Sequence, residues 1–464
     1  MTFIAIDIGA SFIKGCILDT HTLTISGILK IPSPKELKNK IKTRKEFDPR
    51  QFEEIVRRII KTLSEKTNIG GIIFSTQMHG MVLVNRELKP LTAFISWQDE
   101  RILGKRNRHE TWMDLLKKKL KYTDTQDTGI KMKPGIMGTT LFWLSENKYI
   151  KKTDKVKALF LGDYIAAKLS EGKPAVHPTN ACGSGLFSTK KGIWSEKIIK
   201  VLGLDPEILP EVVSADFKVG NMKIRGKQIP IFVSYGDMQT AVLGSLVDLS
   251  GKREFCLNIG TGSQVSTVSN SYVPGCHDTR AYFDDKYLSC CTHIPAGRAL
   301  NVLISFAEEM GMNIFNKRVD VWERLIKLQS KSGDTGGIDV NISFFKNNAT
   351  GRETGYINNI TETNFNFVNI FRGALINMVD NYAYFLKELN YKKGDPITVA
   401  GGLACKVPQI IALLKEKFGK QIKFSPSREE ALSGLMILAV YLSGKFRSVK
   451  SASLFCRQKK IKIK

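Results

Sequence analysis

The feature that most constrains this chain is an internal repetition. Asp7-Ile8-Gly9-Ala10-Ser11 near the start and Asn258-Ile259-Gly260-Thr261-Gly262 past the middle lie 251 positions apart. Each stands between two runs that read as strands: Phe3 to Asp7, which alternates, and Phe12 to Leu18 around the first, Phe255 to Asn258 and Gln264 to Ser269 around the second. Apolar–polar alternation is the period of a half-buried strand, and a glycine between two such runs marks a turn. Each copy therefore reads as a strand, a tight turn and a returning strand. Such a turn presents backbone N–H groups and small hydroxyls in a concave loop suited to phosphate. Two facing copies could hold one triphosphate between two domains; a chance similarity over five residues is the alternative. A length of 464 residues also exceeds what one core ordinarily organises.

The rest of the pattern fills in around the repeats. Leu23 to Ile31 reads as a third strand. A helix is expected from Asp48 to Glu65: Asp48 can cap it, Pro49 suits its first position, and Phe52, Ile55, Val56 and Ile59 form one apolar stripe. Gly70 to Ser75 is a short buried strand, and helices are expected at 112–121, 139–149 and 161–170. Ile231 to Ser234 is a strand running into Tyr235-Gly236-Asp237, followed by a helical stretch from Met238 to Leu246. Polar residues from Asp248 to Arg253 precede the second cycle. Pro396 to Ala400 is a strand ending in Gly401-Gly402, and Glu429 to Tyr441 reads as an amphipathic helix. The last stretch, Lys445 to Lys464, holds eight Lys/Arg and no acid, and reads as a solvated, mobile tail. The expected division is 1–248, 254–446 and a basic tail at 447–464.

The net charge of +26 puts nucleic acid among the partners to consider. No helix-turn-helix, RNA-recognition or zinc-finger pattern supports it. Much of the excess lies in the tail and in the segments 30–50 and 101–121, which read as exposed helix or loop. No run approaches the roughly 18 apolar residues of a membrane span, and the N-terminus lacks the pattern of a secretory leader. The eight cysteines are scattered without a C-x-x-C pair, so neither zinc nor a disulfide framework is expected, and a reducing cytoplasm is the default. The sequence G-x-x-x-x-G-K-[ST] is absent, which excludes a simple P-loop.

Several residues can do chemistry. Asp7 ends a buried strand beside a glycine turn, where a carboxylate must be paired or meet a cation such as Mg²⁺; capping the turn is the alternative. His79, in Gln77-Met78-His79-Gly80, can hydrogen-bond a polyol hydroxyl or serve the structure alone. In Ser96-Trp97-Gln98-Asp99-Glu100-Arg101, Trp97 can face a sugar, while Asp99 and Arg101 can bond hydroxyls or each other. Asp237 precedes a helix, where it can cap the first turn or accept the proton of an attacking alcohol. Gly401-Gly402 suits close approach to a flat ligand, or an ordinary tight turn.

The order of these features resembles the FGGY carbohydrate kinases of the actin-like ATPase superfamily, over about residues 3 to 445. Asp7 to Lys14 is similar to the family's D-x-G-T-[ST]-x-x-K, and Ser75 to Gly80 to the S-G-Q-M-H-G of its ketose kinases. Ser96 to Arg101 resembles their W-x-D-x-R, and Gly236-Asp237 the G-D that supplies the catalytic base. Gly260-Thr261-Gly262 and Gly401-Gly402 resemble the second phosphate turn and the glycine pair beside the adenine nucleotide. Within the family, Gly236-Asp237-Met238-Gln239, Leu257 to Gln264 and Asn301-Val302-Leu303 are most similar to the sedoheptulose-phosphorylating branch. Two positions depart: Ala10 stands where Thr is usual, and Ala299-Leu300 where a glycine pair is expected, with Gly297 nearby.

The resemblance implies two actin-like (ribonuclease H-like) α/β domains flanking a central cleft, with sugar on the N-terminal one and nucleotide on the C-terminal one. It implies ATP-dependent phosphorylation of a primary hydroxyl of a ketose, sedoheptulose first. Asp237 would be the base, and Asp7 would orient Mg²⁺ through water. Gln77, Met78, His79, Trp97, Asp99 and Asp237 would bind the sugar. Gly9, Ser11, Lys14, Gly260, Thr261, Gly262, Gly401 and Gly402 would bind ATP. A xylulose or other pentulose kinase, and a non-catalytic sensor on the same fold, are the alternatives. The expected partners are a small ketose and ATP, with no membrane and no nucleic acid; a homodimer is left open.

Overall fold

The computed structural model describes residues 1–121, 123–150, 155–245, 249, 253–328, 334–345, 353–419 and 421–464, and the backbone of 122. The chain forms two compact units, Met1–Ser250 with Ser269–Leu288 and Glu429–Lys464, and Gly251–Val268 with Ser289–Arg428.

The first unit is built on seven strands. β1 (Thr2–Ile8), β2 (Phe12–Asp19) and β3 (Thr24–Pro32) form an antiparallel meander. β4 (Gly71–Thr76) lies parallel to β1, and beyond it come β5 (Lys218–Ile224) and β6 (Lys227–Gly236), giving the order β5-β6-β4-β1-β2-β3 before a final two-residue strand, Lys462–Ile463. β1 and β4 are buried along nearly their whole length, as strands covered on both faces must be. The helix Pro49–Ser64 starts as its sequence dictates, with the Asp48 side chain accepting from the Arg50 N–H at 3.0 Å. It buries Phe52, Val56, Ile59, Ile60 and Leu63, and Ile59 fills the space left open by Gly15 of β2.

The second unit repeats the plan. β7 (Phe255–Ile259) and β8 (Ser263–Ser269) form the antiparallel pair, β10 (Ile397–Ala400) lies parallel to β7, and β11 (Ile422–Phe424) lies parallel to β10; with β9 (Tyr287–Ile294) the order is β9-β8-β7-β10-β11. This matches β3-β2-β1-β4-β6 of the first unit, so the repeated turn marks a repeated fold. Its core gathers Leu257, Ile259 and Val399 with Leu300, Phe371, Met378, Tyr382 and Leu414 from the surrounding helices.

Three sequence expectations change. The helix Glu430–Val440 is not amphipathic: every residue from Leu432 to Val440 is buried. It crosses the helix Asp237–Gly244 with the backbones in near contact, because Gly244 and Gly434 leave no Cβ; one added at either would lie within 2.0 Å of the opposing carbonyl. That crossing places Glu429 to Lys464 in the first unit, so the expected 254–446 domain ends too late, while the boundary at 248, Leu246 and most of the polar stretch to Arg253 lie outside the described residues. Nor is the basic end a loose tail. Ser448 caps the helix Val449–Lys459, Asp284 accepts from the Val449 and Lys450 N–H groups, and Val449, Ala452, Ser453 and Cys456 are buried. Counting charge had masked that spacing of small and apolar residues. Among the described residues, no single helix is long and apolar enough to cross a membrane.

Candidate active site

The register of the first sheet assembles the acidic centre. Asp7, on β1, pairs with Lys14 across the hairpin on one side and with Ser75 of β4 on the other. The Ser75 hydroxyl donates to Asp7 Oδ1 at 2.5 Å. Lys14 Nζ is drawn to Glu429 Oε2, also at 2.5 Å. The lysine expected to grip phosphate is therefore ion-paired, and Glu429, just before the helix Glu430–Val440, is a member of the site that the sequence reading missed. Burial pushes the Asp7 carboxyl up; Ser75 and Lys14 oppose this and the Glu429 charge adds to it.

The first turn closes through Gly9 N–H to the Phe12 carbonyl at 3.1 Å, and a Cβ on Gly9 would meet that oxygen at 2.9 Å. Ser33 Oγ donates to the Gly9 carbonyl at 2.9 Å, and Gln77 N–H to the Ile8 carbonyl at 3.0 Å, while Ala10 and Ser11 are exposed at the tip.

Asp237 stands where β6 ends and the next helix begins, and its Oδ1 accepts from the Met238 N–H at 2.8 Å. Burial first, and then the charge of Asp7, push its carboxyl up to about 7, against the Met238 N–H and the Arg280 charge. A carboxylate titrating there is matched to proton transfer near neutral pH. The residues behind it are tied down: the Gly236 N–H donates to Thr179 Oγ1 at 3.1 Å, and Gln239 Nε2 to the Thr179 carbonyl at 3.0 Å.

After β4 the chain makes a three-residue turn, with the Gly80 N–H donating to the Met78 carbonyl at 3.1 Å and His79 held at φ +79°. A non-glycine residue there is strained, and strain of this kind collects at functional positions. His79 Nδ1 lies 2.8 Å from the Gly183 carbonyl, so Nδ1 carries the proton and Nε2 is an acceptor. Burial, then the charges of Arg280 and Lys133, hold its pKa well below the usual imidazole range, keeping it neutral.

Arg280 is the second member the sequence reading missed. It lies on the strand Asp278–Ala281, far along the chain from Met78 and His79, and no local pattern marked it.

Asp99 is turned into the fold. Only 1% exposed, it accepts from the Lys45 N–H, the Arg101 N–H and two guanidinium nitrogens of Arg101, whose Nη2 also reaches Glu46 at 2.6 Å. Of the two sequence readings, the pairing with Arg101 holds. Trp97 is 36% exposed, with its carbonyl packed where Gly135 lacks a Cβ.

In the second unit, three glycine features converge. The turn closes through the Gly260 N–H to the Gly262 carbonyl at 3.2 Å. The helix Gly297–Phe315 begins against it, with Gly297 and Arg298 N–H groups donating to the Gly260 and Thr261 carbonyls at 3.2 and 2.8 Å. Gly297, close to the Ala299-Leu300 departure, packs tightly on the turn: its Cβ would lie 2.8 Å from the Gly260 carbonyl oxygen. Gly401, at φ +94° and ψ 148°, ends β10 beside Asn258. Only glycine adopts that backbone readily, and a Cβ would meet the Ile259 oxygen at 2.5 Å. Gly401→Ala is expected to cost about 1–3 kcal/mol in backbone strain alone and to weaken nucleotide binding, checked by thermal unfolding with and without ADP. Among the described residues, no group of three or more His, Cys, Asp or Glu forms a metal cluster.

The fold so assembled, a duplicated α/β unit with glycine turns at corresponding strand ends, is the two-domain actin-like ATPase fold. The profile of the FGGY family of carbohydrate kinases, N-terminal domain, matches residues 2–244, and the chain belongs to that family. It is 24% identical over 98% of its length to a xylulose kinase of Lactococcus lactis, covering 90% of that protein. It is 26% identical to a xylulose kinase of Staphylococcus xylosus over 49% of this chain, spanning about half (47%) of that protein's length. It is 30% identical to a glycerol kinase of Rhizobium meliloti over 43% of this chain and 41% of that protein. Among solved structures it is similar to a ligand-bound xylulose kinase of Lactobacillus acidophilus (TM-score 0.83, 18% identity, 98% of this chain and 92% of that one). It is also similar to the Plasmodium falciparum glycerol kinase with ADP (TM-score 0.81, 19% identity, with the same coverage). At these identities the structural likeness speaks for the fold.

Proposed function

We propose that the protein is an ATP-dependent ketose kinase that phosphorylates a primary hydroxyl, with sedoheptulose as the substrate. The observation that carries the reading is Asp237: a buried carboxylate pushed up to about 7 at the end of β6, near Asp7 and Arg280. In this reading Asp237 accepts the proton as the substrate oxygen attacks the γ-phosphorus. The Met238 N–H holds one carboxylate oxygen, leaving the other for the hydroxyl. His79, neutral, offers Nε2 as an acceptor to a second hydroxyl, and Met78 and Gln77 shape the wall. In the first unit Ser11 and the turn at Gly9 would offer donors to phosphate; in the second the turn at Gly260 to Gly262 would do the same, with Gly401-Gly402 beside the adenine.

Mg²⁺ fits Asp7, whose burial and acidic neighbour Glu429 disfavour its charge unless a cation relieves it. The ion would supply neutralisation of the nucleotide phosphates. Lys14 would contribute to phosphate binding by leaving Glu429.

A xylulose kinase is the second reading, supported by the Lactococcus lactis relative aligned over nearly the whole chain. Competition between sedoheptulose and D-xylulose, scored as kcat/KM, tests the choice. A higher value for sedoheptulose supports the first reading, and a higher value for xylulose replaces it with the second.

A further inference from the structure

The segment Ser269–Leu288 returns to the first unit and brings a buried cation to the residues proposed to hold the sugar. Arg280 is 3% exposed. Its Nη1 lies 3.5 Å from Met78 Sδ and 3.3 Å from Met238 Sδ, and its Nη2 bonds Asp278 Oδ2 at 3.1 Å. Lys133 Nζ lies 3.8 Å from the same Asp278 oxygen. A buried guanidinium needs a charged acceptor, and Asp278 supplies one. A core built for packing alone would put an apolar side chain between two methionines.

We infer that Arg280 determines specificity by donating through its planar fork to two adjacent oxygens of the ketose, the carbonyl and a neighbouring hydroxyl. The inference rests on the ketose-kinase reading and deepens it. Three observations support it. Arg280 touches Met78, the neighbour of His79, and Met238, the neighbour of Asp237, so it lies beside both groups assigned to the substrate. Its fork presents parallel donors at a fixed spacing, which suits a pair of oxygens and not a lone hydroxyl. Its charge also acts on both groups: together with Lys133, and against Asp278, it keeps His79 neutral, and it opposes the burial and the Asp7 charge that raise Asp237. A ketose offers such a pair in its carbonyl, which can only accept, and the neighbouring hydroxyl; every oxygen of glycerol is a hydroxyl.

The test compares Arg280→Lys and Arg280→Met by steady-state kinetics, by pH profile and by ketose-induced thermal shift. Lysine keeps the charge and loses the fork; methionine, similar in bulk and apolar among Met78 and Met238, loses both. Both variants are expected to fold. Arg280→Lys should raise the ketose KM by about tenfold or more, leave the KM for ATP alone, and keep the acid limb of kcat/KM in place. Arg280→Met should raise the ketose KM similarly and move that limb to higher pH, because a positive charge near Asp237 is gone. An unchanged ketose KM in a folded variant overturns the inference. So does loss of folding in both variants, which would make Arg280 purely structural. If the wild type turns over no ketose, the kinase reading fails by itself, and thermal shift then decides the inference: ketose stabilisation in the wild type that Arg280→Lys abolishes upholds the contact, and its absence in the wild type overturns it.

Discussion

Asp237→Asn is expected to lower kcat by about 10²–10⁴-fold, the range for loss of a general base, with little change in thermal stability. The side chains match in shape, and the amide oxygen can still accept from the Met238 N–H, so the start of the helix Asp237–Gly244 is preserved. What is lost is proton acceptance. The wild-type pH profile belongs to the same prediction. The carboxyl is raised to about 7 by burial and by Asp7, so the active, ionised form fills as pH rises through that value. The kcat/KM of the wild type should climb with pH to a plateau above about 7, and the residual activity of Asp237→Asn should lack that limb. Pre-steady-state and steady-state rates across pH 5 to 9 check both parts. A variant within a few-fold of wild type would remove Asp237 from the chemistry.

Asp99→Ala is expected to act on stability. It removes the carboxylate that holds Arg101 in two bonds within a nearly solvent-free site. Stranding a buried ionic partner costs about 3–5 kcal/mol; Glu46, still bonded to Arg101, places the expectation toward the lower end. The Lys45 N–H also loses its acceptor, which loosens the turn before the helix at Pro49. Denaturant titration should show the loss directly. At a temperature where the variant stays folded, the ketose KM should match the wild type. A raised KM without lost stability would restore Asp99 as a sugar ligand.

These two aspartates show how far the sequence could be read. Strand alternation, glycine turns and the Asp48-Pro49 helix start are local, and the chain folds where they point. The repeat was legible because it specifies a strand order that recurs, β9-β8-β7-β10-β11 matching β3-β2-β1-β4-β6. Asp7, His79 and Asp237 could be singled out because each ends a strand beside a turn. Distance along the chain hid the rest. Glu429 meets Lys14 across more than four hundred residues, and Arg280 meets Met78 across about two hundred. Whether Asp99 turns inward depends on Lys45 and Glu46, contributed by another loop. The same limit explains the end of the chain. Its charge suggested solvent, but Val449, Ala452 and Cys456 recur at helical spacing and are buried, and the close crossing at Gly244 and Gly434 carries the whole segment back to the first unit.

The central claim is that this chain moves phosphate from ATP to a ketose. ADP release by the purified protein with Mg²⁺, measured with and without sedoheptulose, D-xylulose and glycerol, tests it most directly. The account predicts strong stimulation by a ketose, greatest with sedoheptulose, weak or no stimulation by glycerol, and a sugar monophosphate as the product. ADP release that no ketose stimulates, or stimulation with no phosphorylated sugar formed, would contradict it.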